Sequence, residues 1–133
     1  MDRGQVEALS AAAGRAAIPT TLDGGSIARF GSEIEAAVYF CCLEALQNAG
    51  KHAGDGATAR IRVWEEEGGL LFEVADDGVG FEASSRSRQG AGFVNMADRV
   101  GAIGGTFTVT SAPGMGTKIA GRIPVSAAPA AVS

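Results

Sequence analysis

Glu44 and Asn48 stand four residues apart in the run Glu44 to Ala53, EALQNAGKHA. On a helix that spacing puts a carboxylate and an amide on one face. The pair suits a hard cation such as Mg²⁺, held directly or through water. The carboxylate could equally orient a nucleophile, and a solvated polar face would carry the same residues. A second group is Asp76-Asp77-Gly78-Val79-Gly80. A carboxylate at a strand end, followed by two glycines, can accept a hydrogen bond from an adenine amino group while the backbone approaches the base. An Asp-Gly turn is the plainer reading. Two glycines and Phe81 after an apolar strand argue against it. A third group, Gly90-Ala91-Gly92, opens a helical pattern and could aim backbone N–H groups at phosphate oxygens. It is not the dinucleotide fingerprint, because Asn95 stands where a third glycine is needed, and no G-x-x-x-x-G-K-[ST] run occurs. The fourth, Gly114-Met115-Gly116-Thr117, reads by itself as a hairpin turn.

These groups need elements to hold them. The first dozen residues are expected as a short helix or leader, and Ala17 to Leu22 as a strand that Pro19 places at an edge. Asp23 to Ser26 supplies turn chemistry, and Ser32 is the expected N-cap of the next helix. From Glu33 to about Lys51, Ile34, Ala37, Val38, Cys41, Cys42, Ala45 and Leu46 recur at helical spacing. Gly54, Asp55 and Gly56 break that helix. Ala57 to Glu65 alternates as a half-buried strand, with Ala59, Ile61 and Val63 inward and Arg60, Arg62 and Trp64 outward. Glu66 to Gly69 turns the chain into a strand over Leu70 to Val74. Glu82 to Gln89 is polar and reads as a lid. A second helix follows with Phe93, Met96, Ala97 and Val100 on one face, ended by Gly104-Gly105. Thr106 to Ser111 and Thr117 to Pro124 form a closing hairpin. This order predicts an α+β two-layer sandwich, a mixed and mostly antiparallel sheet covered on one face by helices. The domain is expected over residues 1–125, with a frayed Ala/Pro-rich tail over 126–133.

Bulk properties narrow the function. The 133 residues suffice for one core without staples, and 46% are hydrophobic. A net charge of -4 disfavours nucleic acid as a partner, though local cations and backbone amides can still hold a triphosphate. No apolar run reaches the roughly 20 residues of a membrane span, and no signal peptide is expected at the N-terminus. Cys41 and Cys42 are neighbours on a helix, a poor geometry for a disulfide, and are expected as small core residues in a reducing cytoplasm. One histidine and no C-x-x-C leave too few soft ligands for a zinc site.

In order and spacing, the four groups resemble the nucleotide-binding boxes of the Bergerat-type ATPase superfamily. That superfamily joins histidine kinases, gyrase, the heat-shock chaperone and the mismatch-repair ATPases. The resemblance covers about Ile18 to Val125. EALQNAGKHA, DDGVGF, the short lid, GAGFVNMADRVGAIGG and SAPGMGTKIAGRIP look like the catalytic domain of bacterial sensor kinases of the nitrate/nitrite-sensor-like group. Gly50 departs from that pattern, replacing a larger apolar residue, and should weaken the helix end.

The resemblance implies ATP and Mg²⁺ as cofactors. It implies Asn48 as the metal ligand, with Glu44 beside it, acting through water or as a polarising carboxylate. Lys51 and His52 would lie near the phosphates. Asp76 would recognise adenine, Gly78 and Gly80 would floor the pocket, and Gly90 and Gly92 would let the lid pack over the triphosphate. Thr117 would support Asp76 directly or through water. Arg86 and Arg88 in the lid are expected as mobile phosphate contacts or as plain surface charges. His52 is not expected to be the phosphoacceptor, which belongs on a separate dimerising hairpin. The expected activity is phosphoryl transfer to a histidine on that dimerisation domain, with a response regulator downstream. The chain itself is expected to be monomeric and cytoplasmic, whether or not the parent is membrane-anchored. An anti-sigma-factor serine kinase of the same fold, and a nucleotide sensor without transfer activity, are the alternatives.

Overall fold

The computed structural model describes residues 4–16, 18–23, 31–54, 56–80 and 90–124, without the side chains of 4–8, 32 and 90–92. The turn at Asp23 to Ser26 (beyond Asp23 itself), Asp55, Phe81, the lid and the tail lie outside the described residues. In chain order the elements are α1 (Gly4–Arg15), β1 (Thr20–Asp23), α2 (Ser32–His52), β2 (Ala59–Glu66), β3 (Gly69–Asp76), α3 (Gly90–Ala102), β4 (Thr106–Ser111) and β5 (Thr117–Pro124). The strands form one sheet in the order β1-β2-β3-β5-β4. Only β1 and β2 run parallel; the other pairs are antiparallel.

Alternation decides which face of the sheet is covered. Ile61 and Val63 on β2, Leu70, Phe72 and Val74 on β3, and Ile119 and Ile123 on β5 are all buried. Against them α2 lays Val38, Cys41, Cys42, Ala45 and Leu46, while α3 adds Phe93, Met96 and Val100. Burying each large side chain contributes about 1.5–3 kcal/mol. Both cysteines are free, buried thiols, and Cys41 Sγ lies 3.9 Å from the Met96 carbonyl across the α2–α3 contact. The opposite face of the sheet is polar. There Arg62 stacks 4.4 Å from the Trp64 ring centroid, and Glu73 pairs with Arg62 and Lys118, both at 3.5 Å.

Four local expectations change. The residue before α2 is Gly31 at φ 101°, with no side-chain cap, and Ser32 is already helical. Glycine is at ease there because a Cβ would be strained at positive φ. Ala97 is exposed, since the packed stripe on α3 is narrow and runs through Phe93, Met96 and Val100 alone. The strand expected to end at Val74 continues to Asp76, paired on both sides, and β1 starts at Thr20 rather than Ala17. The β2–β3 turn is the two-residue loop Glu67-Gly68, both at positive φ (49° and 75°), the backbone of a tight type I′ hairpin. The helix continues through Gly50 to His52, where the Ala53 N–H closes it onto the Ala49 carbonyl at 2.9 Å.

Candidate nucleotide-binding site

The C-terminal half of α2 crosses above the ends of β3 and β5 and leaves a cleft between them. Ala45, Asn48, Ala49 and His52 recur at three- and four-residue spacing and form one wall. Val74 and Asp76 on β3, with Thr117 and Ile119 on β5, form the floor. Phe93 from the first turn of α3 closes an apolar side, and Gly80 lies at the rim. The cavity these residues enclose is small, about 30 Å³, room for a water rather than a base. Its walls stand close, so a planar base entering it must part them.

Strand register carries Asp76 to the cleft. It is the last paired residue of β3, flanked by Ala59 on one side and Thr117 on the other. Its Oδ1 accepts the Gly78 N–H at 2.9 Å, and the Thr117 N–H also reaches the carboxylate. Burial pushes the carboxyl above the usual aspartate range; the two N–H donors oppose that, and the neighbouring Asp77 charge adds to it. A carboxylate has about four acceptor sites, so two bonds leave it able to receive a ligand donor.

The next carboxylate turns the other way. Asp77 is exposed and takes the Thr58 N–H at 2.7 Å and the Thr58 hydroxyl at 3.0 Å. These bonds hold its carboxyl below the usual aspartate range. The loop after Asp76 is therefore pinned from three directions. Asp77 N–H meets the Thr58 carbonyl at 3.2 Å, Val79 N–H meets Ala53 at 3.0 Å, and Gly114 N–H meets Val79 at 2.7 Å. Gly78 lies so close to Ala53 that a Cβ would collide with it. Gly80 has φ +65° and rests on the Ala112 carbonyl, and Gly116, at φ +74°, rests on the Asp76 carbonyl. The Gly114-Met115-Gly116 hairpin, bland as sequence, thus braces the aspartate loop.

On the α2 wall of the cleft, Asn48 Nδ2 is buried without a hydrogen-bond partner among the described residues. A half-turn of the amide would exchange it for Oδ1, so this position can offer either a donor or an acceptor. Such an orphan is expensive in a folded interior unless a ligand completes it. His52 lines the cleft from an exposed position one turn later. Lys51 is exposed and outside the lining, and Glu44 is half-buried and also outside it. Glu44 and Arg99 both act electrostatically on Cys41, which places Glu44 on the side of α2 toward α3. Gly90 is the first residue of α3 and Gly92 lies in its first turn. Gly78 packs behind the aspartate loop rather than lining the cleft. Arg86 and Arg88 fall outside the described residues.

Sequence reasoning missed the apolar walls Val74, Ile119 and Phe93, which read as ordinary core positions. It also missed the Thr58–Asp77 clamp and the Ser111–Thr117 hydroxyl contact. Their partners are 19 and 6 residues apart, and only the strand register brings them together.

Comparison with known proteins agrees with this geometry. A family profile described as "Histidine kinase-, DNA gyrase B-, and HSP90-like ATPase" matches residues 33–127. The chain is similar to the sensor protein VraS of Staphylococcus epidermidis, 31% identical over 93 residues, 70% of this chain and 26% of that one. It is also similar to an uncharacterised sensor-like histidine kinase of Chloroflexus aurantiacus, 34% identical over 128 residues, 90% of this chain and 21% of that one. The chain therefore spans about a quarter of the length of these relatives. In fold it is similar to the histidine kinase domain of the blue-light activated kinase EL346 of Erythrobacter litoralis. The TM-score is 0.75 at 24% identity, covering 92% of this chain and 60% of that one. The mycobacterial sensor kinase MprB gives a TM-score of 0.70 at 18% identity, covering 93% and 96%. With a cleft built around one strand-end aspartate and the matched profile running through every element that forms it, the chain belongs to the histidine kinase-, DNA gyrase B- and HSP90-like ATPase family, as an ATP-binding catalytic domain of the sensor histidine kinase kind.

Proposed function

We propose that this domain transfers the γ-phosphate of ATP to a histidine imidazole on a separate dimerisation domain, which then passes it to a response regulator. The observation that carries the reading is two polar side chains on one cleft. Asp76 is half-buried and pre-oriented on the sheet floor, and the Asn48 amide on the α2 wall is unpartnered among the described residues. Asp76 accepts the adenine amino group, and Gly80 lets the backbone close against the base. The first N–H groups of α3, from Gly90 and Gly92, lack intrahelical partners and face the phosphates. His52 and Lys51 add positive or donor character from the end of α2.

The residues fit a Mg²⁺ ion. Among the described residues no cluster of three His, Cys, Asp or Glu could hold a metal on its own. A cation here must draw most of its ligands from phosphate oxygens and water, as Mg²⁺ commonly does. On this reading the Asn48 amide, turned to present Oδ1, would supply a protein oxygen, and Glu44, one turn earlier on α2, would act through water. Bound there, Mg²⁺ would neutralise phosphate charge during transfer. The protein's own part is positioning. Asp76 fixes the base, α2 and α3 fix the phosphates, and a closed site excludes water.

The likeness to VraS, and to the kinase/phosphatase DegS of Brevibacillus brevis at 30% identity over 98 residues, supports placing the chain with the nitrate/nitrite-sensor-like kinases. No helix among the described residues is long and apolar enough to cross a membrane, which suits a cytoplasmic catalytic domain. The test mixes the chain with Mg-ATP and a separately produced histidine hairpin. Acid-labile label should appear on the hairpin and none on His52, with slow ATP hydrolysis by the chain alone. Label on His52, transfer to a serine antagonist instead, or no uptake of Mg-ATP or ADP by folded protein would each overturn the proposal.

A further inference from the structure

Thr117 meets the cleft beside Asp76, and its hydroxyl lies 3.0 Å from the hydroxyl of Ser111. Either oxygen could donate in that contact taken alone. Ser111 Oγ also lies 2.9 Å from the Gly116 carbonyl, which can only accept. A serine hydroxyl carries one proton, and the carbonyl takes it. The proton in the Ser111–Thr117 bond therefore comes from Thr117. Its own proton is then spent, and what Thr117 shows the cleft is lone pairs. The neighbouring carboxylate of Asp76, when ionised, also only accepts.

We propose that Ser111 is a positioning residue for base selection: by fixing the proton order of this hydroxyl pair it makes Thr117 an acceptor, so that the cleft favours purines with an exocyclic 6-amino donor over 6-oxo purines. The inference rests on the nucleotide reading above and goes beyond it. A 6-amino group brings two N–H donors to two acceptors. A 6-oxo group brings an acceptor to the same place, and the buried lone pairs then face each other without a proton between them, which is costly. Ser111 is half-buried at the end of β4, opposite Thr117 in the ladder. It does not line the cleft itself. Without the Ser111 oxygen, the Thr117 hydroxyl regains its rotation and can donate to a 6-oxo group.

The test compares ATP with inosine triphosphate, which differs at that exocyclic position and keeps the triphosphate. Dissociation constants for both are measured by calorimetry on the chain and on Ser111→Ala, Ser111→Cys and Ser111→Thr. The unaltered chain should prefer ATP. Ser111→Ala should reduce the ATP-to-inosine-triphosphate ratio about tenfold, the worth of one hydrogen bond, and Ser111→Thr should restore it. Ser111→Cys, close in volume but a poor hydrogen-bonding partner, should behave as the alanine variant does and decides the matter if the alanine variant does not fold. A merely structural serine would weaken both nucleotides alike. An unchanged ratio in the variants, with the original chain still preferring ATP, overturns this inference and leaves the ATP site standing. Binding of neither nucleotide by the original chain overturns the ATP site, and this inference falls with it.

Discussion

On the sheet floor of the cleft Asp76 has its hydrogen bonds in place, with Gly78 and Thr117 donating to it and a loop pinned by Thr58, Ala53 and Gly114 behind it. On the α2 wall Asn48 presents a buried amide nitrogen with nothing to bond among the described residues, and the exposed His52 lines the same wall. The floor side is completed by the protein's own bonds; on the proposed reading the wall side is completed by what binds. Pre-organised groups give affinity at little ordering cost, whereas groups completed by the ligand act mainly once it is present. Under that proposal, binding and transfer should respond differently to damage on the two sides.

The sharpest way to break this contrast is Asn48→Ala. Transfer to a histidine hairpin should fall about 100-fold or more, since metal-assisted charge neutralisation is worth several kcal/mol. Binding of ADP without Mg²⁺ should stay within about threefold, because the change removes an unsatisfied group rather than a made bond. Calorimetry and transfer rates on the same preparation check both; an equal loss in the two would erase the distinction. Asp76→Ala should do the reverse, weakening Mg-free ADP about 10- to 100-fold, the usual worth of a hydrogen bond to a charged group.

A backbone change probes the bracing of the loop after Asp76. Gly80→Ala puts a side chain at φ +65° and against the Ala112 carbonyl. It should destabilise the fold by about 2 kcal/mol and lower Tm by several degrees, as read by thermal denaturation. The bound nucleotide should be weakened as well, because the loop cannot close.

The smallest expected effect is in pH. The Asp76 carboxyl is raised, mainly by burial, so nucleotide binding that needs its ionised form should fade on acidification at a higher pH than for an ordinary aspartate. For stability the sign is opposite: a raised acid favours the fold while protonated, and that contribution is lost as pH rises from the ordinary value through the folded one. Asp77 is lowered by its bonds to Thr58. Its contribution is present above the ordinary aspartate value and is lost as pH falls through the lowered one. Asp77→Asn should flatten that acid limb, and an acid titration followed by circular dichroism would show it.

Much of this was readable in advance, for reasons that differ by residue. The α2 stripe from Ile34 to Leu46 and the β2 alternation Ala59-Ile61-Val63 follow a helical or two-residue period, and such a period is a property of neighbours in the chain. Asp76 stood out because a carboxylate before two glycines serves a strand poorly, and Asn48 because its spacing puts it on one helix face with Glu44. Ser32 misled because a serine before a helix is a common cap. The helix instead starts one residue earlier than that, from a glycine whose positive φ no side chain announces. The hairpin Gly114-Met115-Gly116 looked like a turn and is one. That Gly116 leans on the Asp76 carbonyl depends on a strand 40 residues away, a separation at which composition is silent.

The chain's periodicities and its four boxes were enough to determine the fold class and the order of elements, and to pick out Asn48 and Asp76, which both line one cleft, since each of these is written in residues close together in sequence. Only the folded arrangement decided which residues share the cleft wall, that Glu44 and Lys51 stand outside it, and that Ser111 meets Thr117. Those outcomes turn on strand register and helix rotation, where a shift of a single residue would carry each side chain to the opposite face.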